Sequence, residues 1–288
     1  MKRTEEGLLL LTCALGEKIQ PLTGEEYRQL AVPAGKIRED GEVTVQNLTD
    51  LGCPKPLAEK ACRLLDREEI LCSYLAQPEM QVLTRLSEDY PRRLRALPDC
   101  PPVFFCRGDL SALRTPCVAL VGARDIPERN RAFARHVGIL AAGEGYTLVS
   151  GNAAGADTEA QEACLSAGGK VISFVADRLT DHPVRKNVLY CSDEGWDREF
   201  TSARALRRNH YIHALGEKTL VACCAAPRGG TWAGTRYNLL HGLSPVWMLK
   251  DSTEGARRLE ALGAWTVDGD FPSIRALENP QLSIFDEV

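Results

Sequence analysis

The apolar positions of the chain come in short dense runs separated by longer amphipathic stretches. Cys117, Val118, Ala119, Leu120 and Val121 form one run, which ends in Gly122, Ala123 and Arg124. An amphipathic segment covers about 128–142, and Thr147, Leu148 and Val149 make a second run, closed by the small-residue loop 150–157. Unbroken apolar runs of this length predict strands buried on both faces, and a crossover of this size joins parallel neighbours. The alternation continues with a strand at 170–175, a helix begun by a Thr201 or Ser202 cap and running to Leu215, and a strand at 218–225. A Gly-rich loop at 227–235, a strand at 245–250 and a helix at 253–262 follow, while 177–192 reads as irregular and residues from 268 onward as a polar tail. The pattern predicts an α/β, Rossmann-like domain over 117–267, with a mostly parallel sheet flanked by helices.

Ahead of this domain, residues 1–80 carry helical spacing without strand runs. Leu57, Ala61, Leu64 and Leu65 share one helical face, and Leu51-Gly52-Cys53-Pro54 reads as the turn of a helical hairpin. A small all-helical domain of the SAM or helix-hairpin-helix kind is expected. Its single glycine at the turn favours packing over DNA contact, because a DNA-gripping hairpin usually offers Gly-x-Gly. Residues 81–116 shift to proline and arginine and read as a docking linker holding one short strand at 103–106.

Charge and cysteine content narrow the picture. A net charge of −4 over 288 residues excludes a chain that is basic all over, so any nucleic-acid contact must come from a local patch. Eleven scattered cysteines without a C-x-x-C pair predict free thiols in a reducing compartment. Glu5 and Glu6 spoil the basic start of a secretion signal, and no apolar run reaches membrane-spanning length, so a cytoplasmic protein without membrane contact is expected.

The candidate chemistry lies in the loops. The stretches after the first two runs leave the carboxyl ends of adjacent parallel strands and feed helices, whose free N–H groups favour an anion. Gly122, Gly151 and Gly155, with Ala123, Ala153 and Ala154, leave room for a ligand backbone, and Arg124 adds a guanidinium fork suited to phosphate. On the helix ending at Leu215, Ala205, Asn209 and Ile212 share a face, so Asn209 needs a hydrogen-bond partner. A positive groove for a single strand is available from Arg124, Arg129, Arg185, Lys186, Arg208 and Arg228. Trp232 and Tyr237 are the candidate stacking rings, with Trp232 weighted towards packing. No Gly-x-Gly-x-x-Gly follows the first strand, and His210-x-x-His213 with Cys223-Cys224 has the wrong spacing for a closed zinc site. No cofactor, metal or catalytic residue is therefore assigned.

The order of these motifs resembles that of the DNA-processing protein A (DprA/Smf) family. YPRRLRALPDCPPVFFCRGDL is similar to the family's lead-in to its Rossmann-like domain, and VALVGARD to its Gly-Ser-Arg loop, with Ala123 in place of serine. SGNAAGAD resembles its Ser-Gly-x-Ala-x-Gly-x-Asp loop, RRNHYIHAL its Arg-Asn-Arg helix with His210 for the second arginine, and GGTWAGT its third Gly-rich loop. The resemblance implies a non-enzymatic, homodimeric single-stranded DNA binder that protects incoming DNA and loads the recombinase RecA in recombination and natural transformation. Carried residue by residue, it implies contacts from Gly122, Ala123 and Arg124. It places Gly151, Asn152, Gly155 and Asp157 on the floor, a basic residue at Arg185 or Lys186, and further contacts at Arg208, Asn209, Gly230 and Thr231. Ala154 stands where many members carry a basic or bulky residue, so a weaker patch is expected. The winged-helix-like C-terminal domain of many members is not expected in this chain.

Two alternatives stay open: a nucleotide-sensing module of the same fold, and a LOG-type nucleotide phosphoribohydrolase. The second needs a carboxylate where this chain offers Gly234 or Asn238. The tail adds Gln281-Leu282-Ser283-Ile284-Phe285, which resembles the pentapeptide by which bacterial repair proteins dock on the replication sliding clamp. Leu282, Ile284 and Phe285 would insert and Gln281 would supply an amide hydrogen bond.

Overall fold

The computed structural model describes residues 1–37, 41–97 and 100–277. Five helices come first: α1 (Arg3–Thr12), α2 (Gly24–Ala34), α3 (Val45–Asp50), α4 (Lys55–Leu65) and α5 (Glu68–Leu75). Thr23 caps α2 and Thr44 caps α3, each hydroxyl accepting an N–H from the first turn. The hairpin turn between α3 and α4 is present, closed by the Cys53 N–H on the Leu48 carbonyl and by Gly52 at φ +95°. Leu30, Leu48, Leu57, Ala58, Ala61 and Leu64 form a small core of their own. This unit is not detached, because Leu8, Leu9 and Leu10 of α1 belong to the main core beside Phe105.

Next come β1 (Met80–Thr84), the short α6 (Arg92–Arg95), β2 (Val103–Gly108), β3 (Cys117–Gly122), α7 (Glu128–Gly143), β4 (Thr147–Ser150) and α8 (Ala156–Ser166). They are followed by β5 (Lys170–Phe174), β6 (Val188–Ser192), α9 (Ser202–Leu215), β7 (Lys218–Cys223) and α10 (Gly229–His241), then β8 (Val246–Leu249), α11 (Glu254–Ala261) and β9 (Trp265–Val267). All nine strands form one sheet in the order β1-β2-β6-β5-β4-β3-β7-β8-β9. The strands from β6 through β9 in that order are parallel, and β1 and β2 close one edge antiparallel. The fold is the expected Rossmann-like α/β sheet.

Alternation along β3 explains the two-sided core. Val118 and Leu120 point to one face, packing with Phe133 and Val137 of α7 and with Ala160 of α8. Cys117, Ala119 and Val121 point to the other, against Tyr211, Ile212 and Leu215 of α9. Helices α7 and α8 approach closely because position 138 is glycine; a Cβ there would lie 2.2 Å from the Ala160 carbonyl oxygen. All eleven cysteines are free thiols, and among the described residues no helix is long and apolar enough to cross a membrane.

Four expectations need correction. The stretch read as irregular contains β6, whose five residues are all buried between β2 and β5. The docking linker supplies two strands instead of one and so belongs to the sheet. The Gly-rich loop at 227–235 becomes helix from Gly229 onward, so Gly230 and Thr231 sit in the first turn of α10. The polar tail does not begin at 268: after the unforeseen β9, Phe271 and Ile274 are buried against the body. The Glu144 carboxylate accepts the N–H groups of Ile274 and Arg275 at 2.9 and 2.8 Å, which holds this segment down.

Candidate nucleic-acid interface

A cleft of about 880 Å³ opens at the carboxyl rim of the sheet, between the ends of β3 and β7 and the facing sides of α9 and α10. Gly122, Ala123, Arg124, Asp157, Arg208, Asn209, Gly230 and Thr231 all line it, so the fold brings most of the predicted residues together. Gly151 and Asn152 line a smaller adjoining hollow of about 230 Å³, which shares Arg124, Ala153, Phe200 and Arg208 with the main cleft. Arg185 and Lys186 are not brought there. They precede β6, at the amino end of a strand parallel to the others, and line a separate depression with Glu79 and Gly108. Arg185 is held by Glu162 at 2.8 and 3.1 Å.

The glycines of the first two loops serve the protein's own packing, against the expectation that they leave space for a ligand. A Cβ on Gly122 would lie 2.4 Å from the Cβ of Ala156. On Gly151 it would lie 2.6 Å from the Arg208 guanidinium, and on Gly155, at φ +85°, 2.1 Å from the Arg124 carbonyl oxygen. Gly155 therefore lets the β3 loop lie directly on the start of α8.

Arg208 is likewise internal. It is 8% exposed and donates to the carbonyls of Gly151 and Phe174, which ties α9 to the ends of β4 and β5. Burial pulls its pKa down, and the neighbouring Asp157 charge pulls it up. Asp157 accepts the N–H groups of Gly151 and Ala153 at 3.1 and 3.2 Å. Burial pushes its carboxyl up to about 6, with Arg208 and those two N–H groups acting the other way. The other α9 arginines are also engaged: Arg204 with the Ala176, Arg198 and Glu199 carbonyls, and Arg207 with Asp193 and Glu194.

Arg124 differs from all of these. It is exposed at the mouth of both hollows, and among the described residues no hydrogen bond or ion pair engages its guanidinium. Asn152, at φ +57°, is exposed beside it, with its amide 3.4 Å from His182 Nδ1. Across the cleft the Asn209 amide donates to the Gly230 carbonyl at 3.2 Å, which supplies the partner its apolar position demanded. Arg228 is exposed just before α10.

Beside Ile212, which shares the Asn209 face, the apolar side of the cleft holds residues that sequence reasoning did not assign to the site: Phe200, Leu206, His213 and Cys224. Part of it was readable, since His213 follows Asn209 by four residues and so extends the Ala205–Asn209–Ile212 face. Phe200 lies outside any periodic element and carries no such signal. Of the two candidate stacking rings, Trp232 packs as weighted and Tyr237 is held by its neighbours. Trp232 is half-buried against the core, and Tyr237 is stacked between His210 and His241 at centroid distances of 3.6 and 3.9 Å. The tail motif of Gln281, Leu282, Ile284 and Phe285 lies outside the described residues.

Comparison with known proteins matches this architecture. The family model described as DNA recombination-mediator protein A matches residues 81–270. Protein Smf of Escherichia coli is 32% identical over 186 residues, which is 61% of this chain and 49% of that protein. DNA processing protein DprA of Streptococcus pneumoniae is 29% identical over 143 residues, 49% of each chain. The chain thus matches about half the length of these curated relatives. The crystal structure of the S. pneumoniae DprA aligns with a TM-score of 0.74 at 23% identity, covering 93% of this chain and 96% of that one. DNA processing protein A of Helicobacter pylori, whose structure concerns its single-stranded DNA binding mode, aligns with a TM-score of 0.57 at 23% identity over 73% of this chain. Because the family model matches residues 81–270, more than half of the chain, the chain belongs to the DNA recombination-mediator protein A family.

Proposed function

We propose that the chain binds single-stranded DNA at the rim cleft, as a non-enzymatic participant in recombination. The observation that carries this reading is Arg124: an exposed, unengaged guanidinium at the mouth of an 880 Å³ cleft, opposite the start of α10. A backbone phosphate there gains a charge-assisted fork and the positive end of a helix. The H. pylori relative's single-stranded DNA binding mode supports the same choice. Among the described residues Asp157 is the carboxylate that lines the cleft, and two backbone N–H groups already engage it, which disfavours catalysis. The slots where a phosphoribohydrolase would need an acid hold Gly234 and Asn238, and Asn238 is buried in a neutral hydrogen-bond network.

A fluorescent oligonucleotide titration tests this. Single strand should bind in preference to duplex, with affinity falling steeply as salt rises. Arg124→Ala should lose about 1 kcal/mol or more of binding. Equal affinity for duplex, or a flat salt response, overturns the proposal. Recombinase loading by a homodimer is part of the same reading and predicts faster RecA filament assembly on coated strands. Docking of the tail on the sliding clamp is a separate proposal. It predicts that a peptide of residues 278–288 binds purified clamp and that Phe285→Ala abolishes the binding.

A further inference from the structure

The antiparallel edge of the sheet carries a pair of side chains that strand binding does not use. Strand β2 pairs with β1 on one side and with β6 on the other, so this edge meets the parallel strands at the β2–β6 ladder. The helical unit rests on the same place. Phe105 of β2 shares a core with Leu8, Leu9 and Leu10 of α1, and Tyr74 of α5 stacks on Trp196, just beyond β6, at 3.8 Å. Four residue pairs form the ladder, and one of them is Cys106 opposite Cys191.

Residues directly opposite on antiparallel strands point to the same face, with Cα atoms about 4.5–5.5 Å apart. A disulfide spans Cα separations of about 4.4–6.8 Å, so the backbone already has the spacing that a bond requires. The side chains agree with it. The two sulfurs lie 3.8 Å apart within one apolar cluster, and rotation about the Cα–Cβ bonds has only about 1.8 Å to close. Cys106 is fully buried and Cys191 is 2% exposed. The contact with Cys106, and then burial, push the Cys191 thiol well above its ordinary value. At rest Cys191 is therefore a protonated, shielded thiol, and its reaction needs a small oxidant and a brief local opening of the ladder. Neither cysteine lines the rim cleft or its adjoining hollow.

We propose that Cys106 and Cys191 are a peroxide-responsive pair whose reversible disulfide staples β2 to β6 and holds the N-terminal helices on the parallel sheet. This goes beyond the single-strand reading and stands independently of it. One sulfur, deprotonated during an opening, attacks an oxygen of hydrogen peroxide. The O–O bond breaks, a sulfenic acid forms, and the departing hydroxide takes up the released proton as water. The second sulfur displaces the sulfenic hydroxyl, the S–S bond forms, and that hydroxyl leaves as water with the second thiol's proton. Two thiols give up two electrons, and one peroxide becomes two waters. The bond ties positions 85 residues apart, which constrains the unfolded chain strongly.

The test uses the full chain with Cys72→Ser, which removes the exposed thiol of α5. After hydrogen peroxide, non-reducing digestion yields a peptide that joins Cys106 to Cys191 and has lost two hydrogens. The unfolding temperature rises by about 7 °C, amide exchange along the β2–β6 ladder slows at least about tenfold, and dithiothreitol reverses both. Cys106→Ala and Cys191→Ala each abolish the rise, whereas Cys164→Ala, at a buried thiol outside the ladder, keeps it. The linked peptide is read in the parent protein, so a poorly folded alanine variant leaves the outcome decided. If peroxide leaves both thiols reduced, or carries them to sulfinic acid without a bond, the proposal fails. It fails equally if the bond forms with no gain in unfolding temperature or amide protection, or if the rise survives both alanine variants.

Discussion

The two halves of the cleft carry glycines of the same look in the sequence and use them in opposite ways. On the β3–β4 side, Gly122, Gly151 and Gly155 stand against Ala156, Arg208 and the Arg124 carbonyl, so the missing side chains are replaced by the protein itself. On the β7–α10 side, Gly229 has open space where its Cβ would be, and Gly230 has room for one. A glycine after a parallel strand therefore says that something comes close, without saying what. The rigid half sets the position of Arg124, and the open half offers donors to a ligand. Substitutions separate the two roles, because the first half should answer in stability and the second in binding.

The largest effect is expected at Arg208. Arg208→Leu leaves the Gly151 and Phe174 carbonyls unpaired and Asp157 without its neighbouring cation, costing about 4 kcal/mol. Denaturant unfolding reads this directly; a loss below about 1 kcal/mol would mean that the rim is held by something else. Gly155→Ala comes next. Its Cβ meets a backbone carbonyl at 2.1 Å and its φ is +85°, so neither a rotamer nor a small shift relieves it, and about 3 kcal/mol is expected.

Asp157 gives the same half a pH signature. Its carboxyl is pushed up from 3.8 to about 6, so the folded state holds the proton more tightly than the unfolded chain. The stability this contributes is complete below about pH 4 and is lost as pH rises through about 6. Two pKa units amount to about 3 kcal/mol. Asp157→Asn removes the titration and should gain on the wild type by roughly that amount between pH 4 and 7. Parallel stability curves for the two proteins would show that the carboxylate is paired more tightly than its burial implies. Arg124→Ala, at the boundary of the halves, should change stability by less than about 0.5 kcal/mol while weakening single-strand binding.

This division explains what was legible in the sequence. Apolar runs bounded by glycine reported β3, β4, β5, β7 and β8, because strands buried on both faces need no partner to be recognised. Strand β6 was hidden because Val188–Ser192 follows a polar approach that includes Asn187 at φ +62°. It becomes a strand only because β2 and β5 flank it. The lining of the cleft was readable where it followed helical spacing, as at Asn209 and Ile212, and unreadable at Phe200. Charge misled most. Arg208 and Arg185 look like Arg124 in a sequence, yet one is spent on carbonyls and the other on Glu162. Which guanidinium is free depends on three-dimensional neighbours that spacing does not encode.

The smallest effect is the sharpest test of the open half. Gly230 lies in the first turn of α10 with ordinary backbone dihedrals, is exposed, and has 3.5 Å to the nearest atom a Cβ would meet. Nothing in the protein requires glycine there. Replacing it by alanine lowers the entropy of the unfolded chain and favours the helix, so Gly230→Ala should stabilise the protein by about 0.5 kcal/mol. The same exchange at Gly155, a residue of similar appearance in a similar motif, should destabilise by about 3 kcal/mol. Thermal melts of the two variants side by side decide the matter. Opposite signs mean that one glycine makes room for the fold and the other leaves the start of α10 open to solvent and ligand. If Gly230→Ala also destabilises, the α10 side is as tightly packed as the β3–β4 side, and the contrast between the halves is lost.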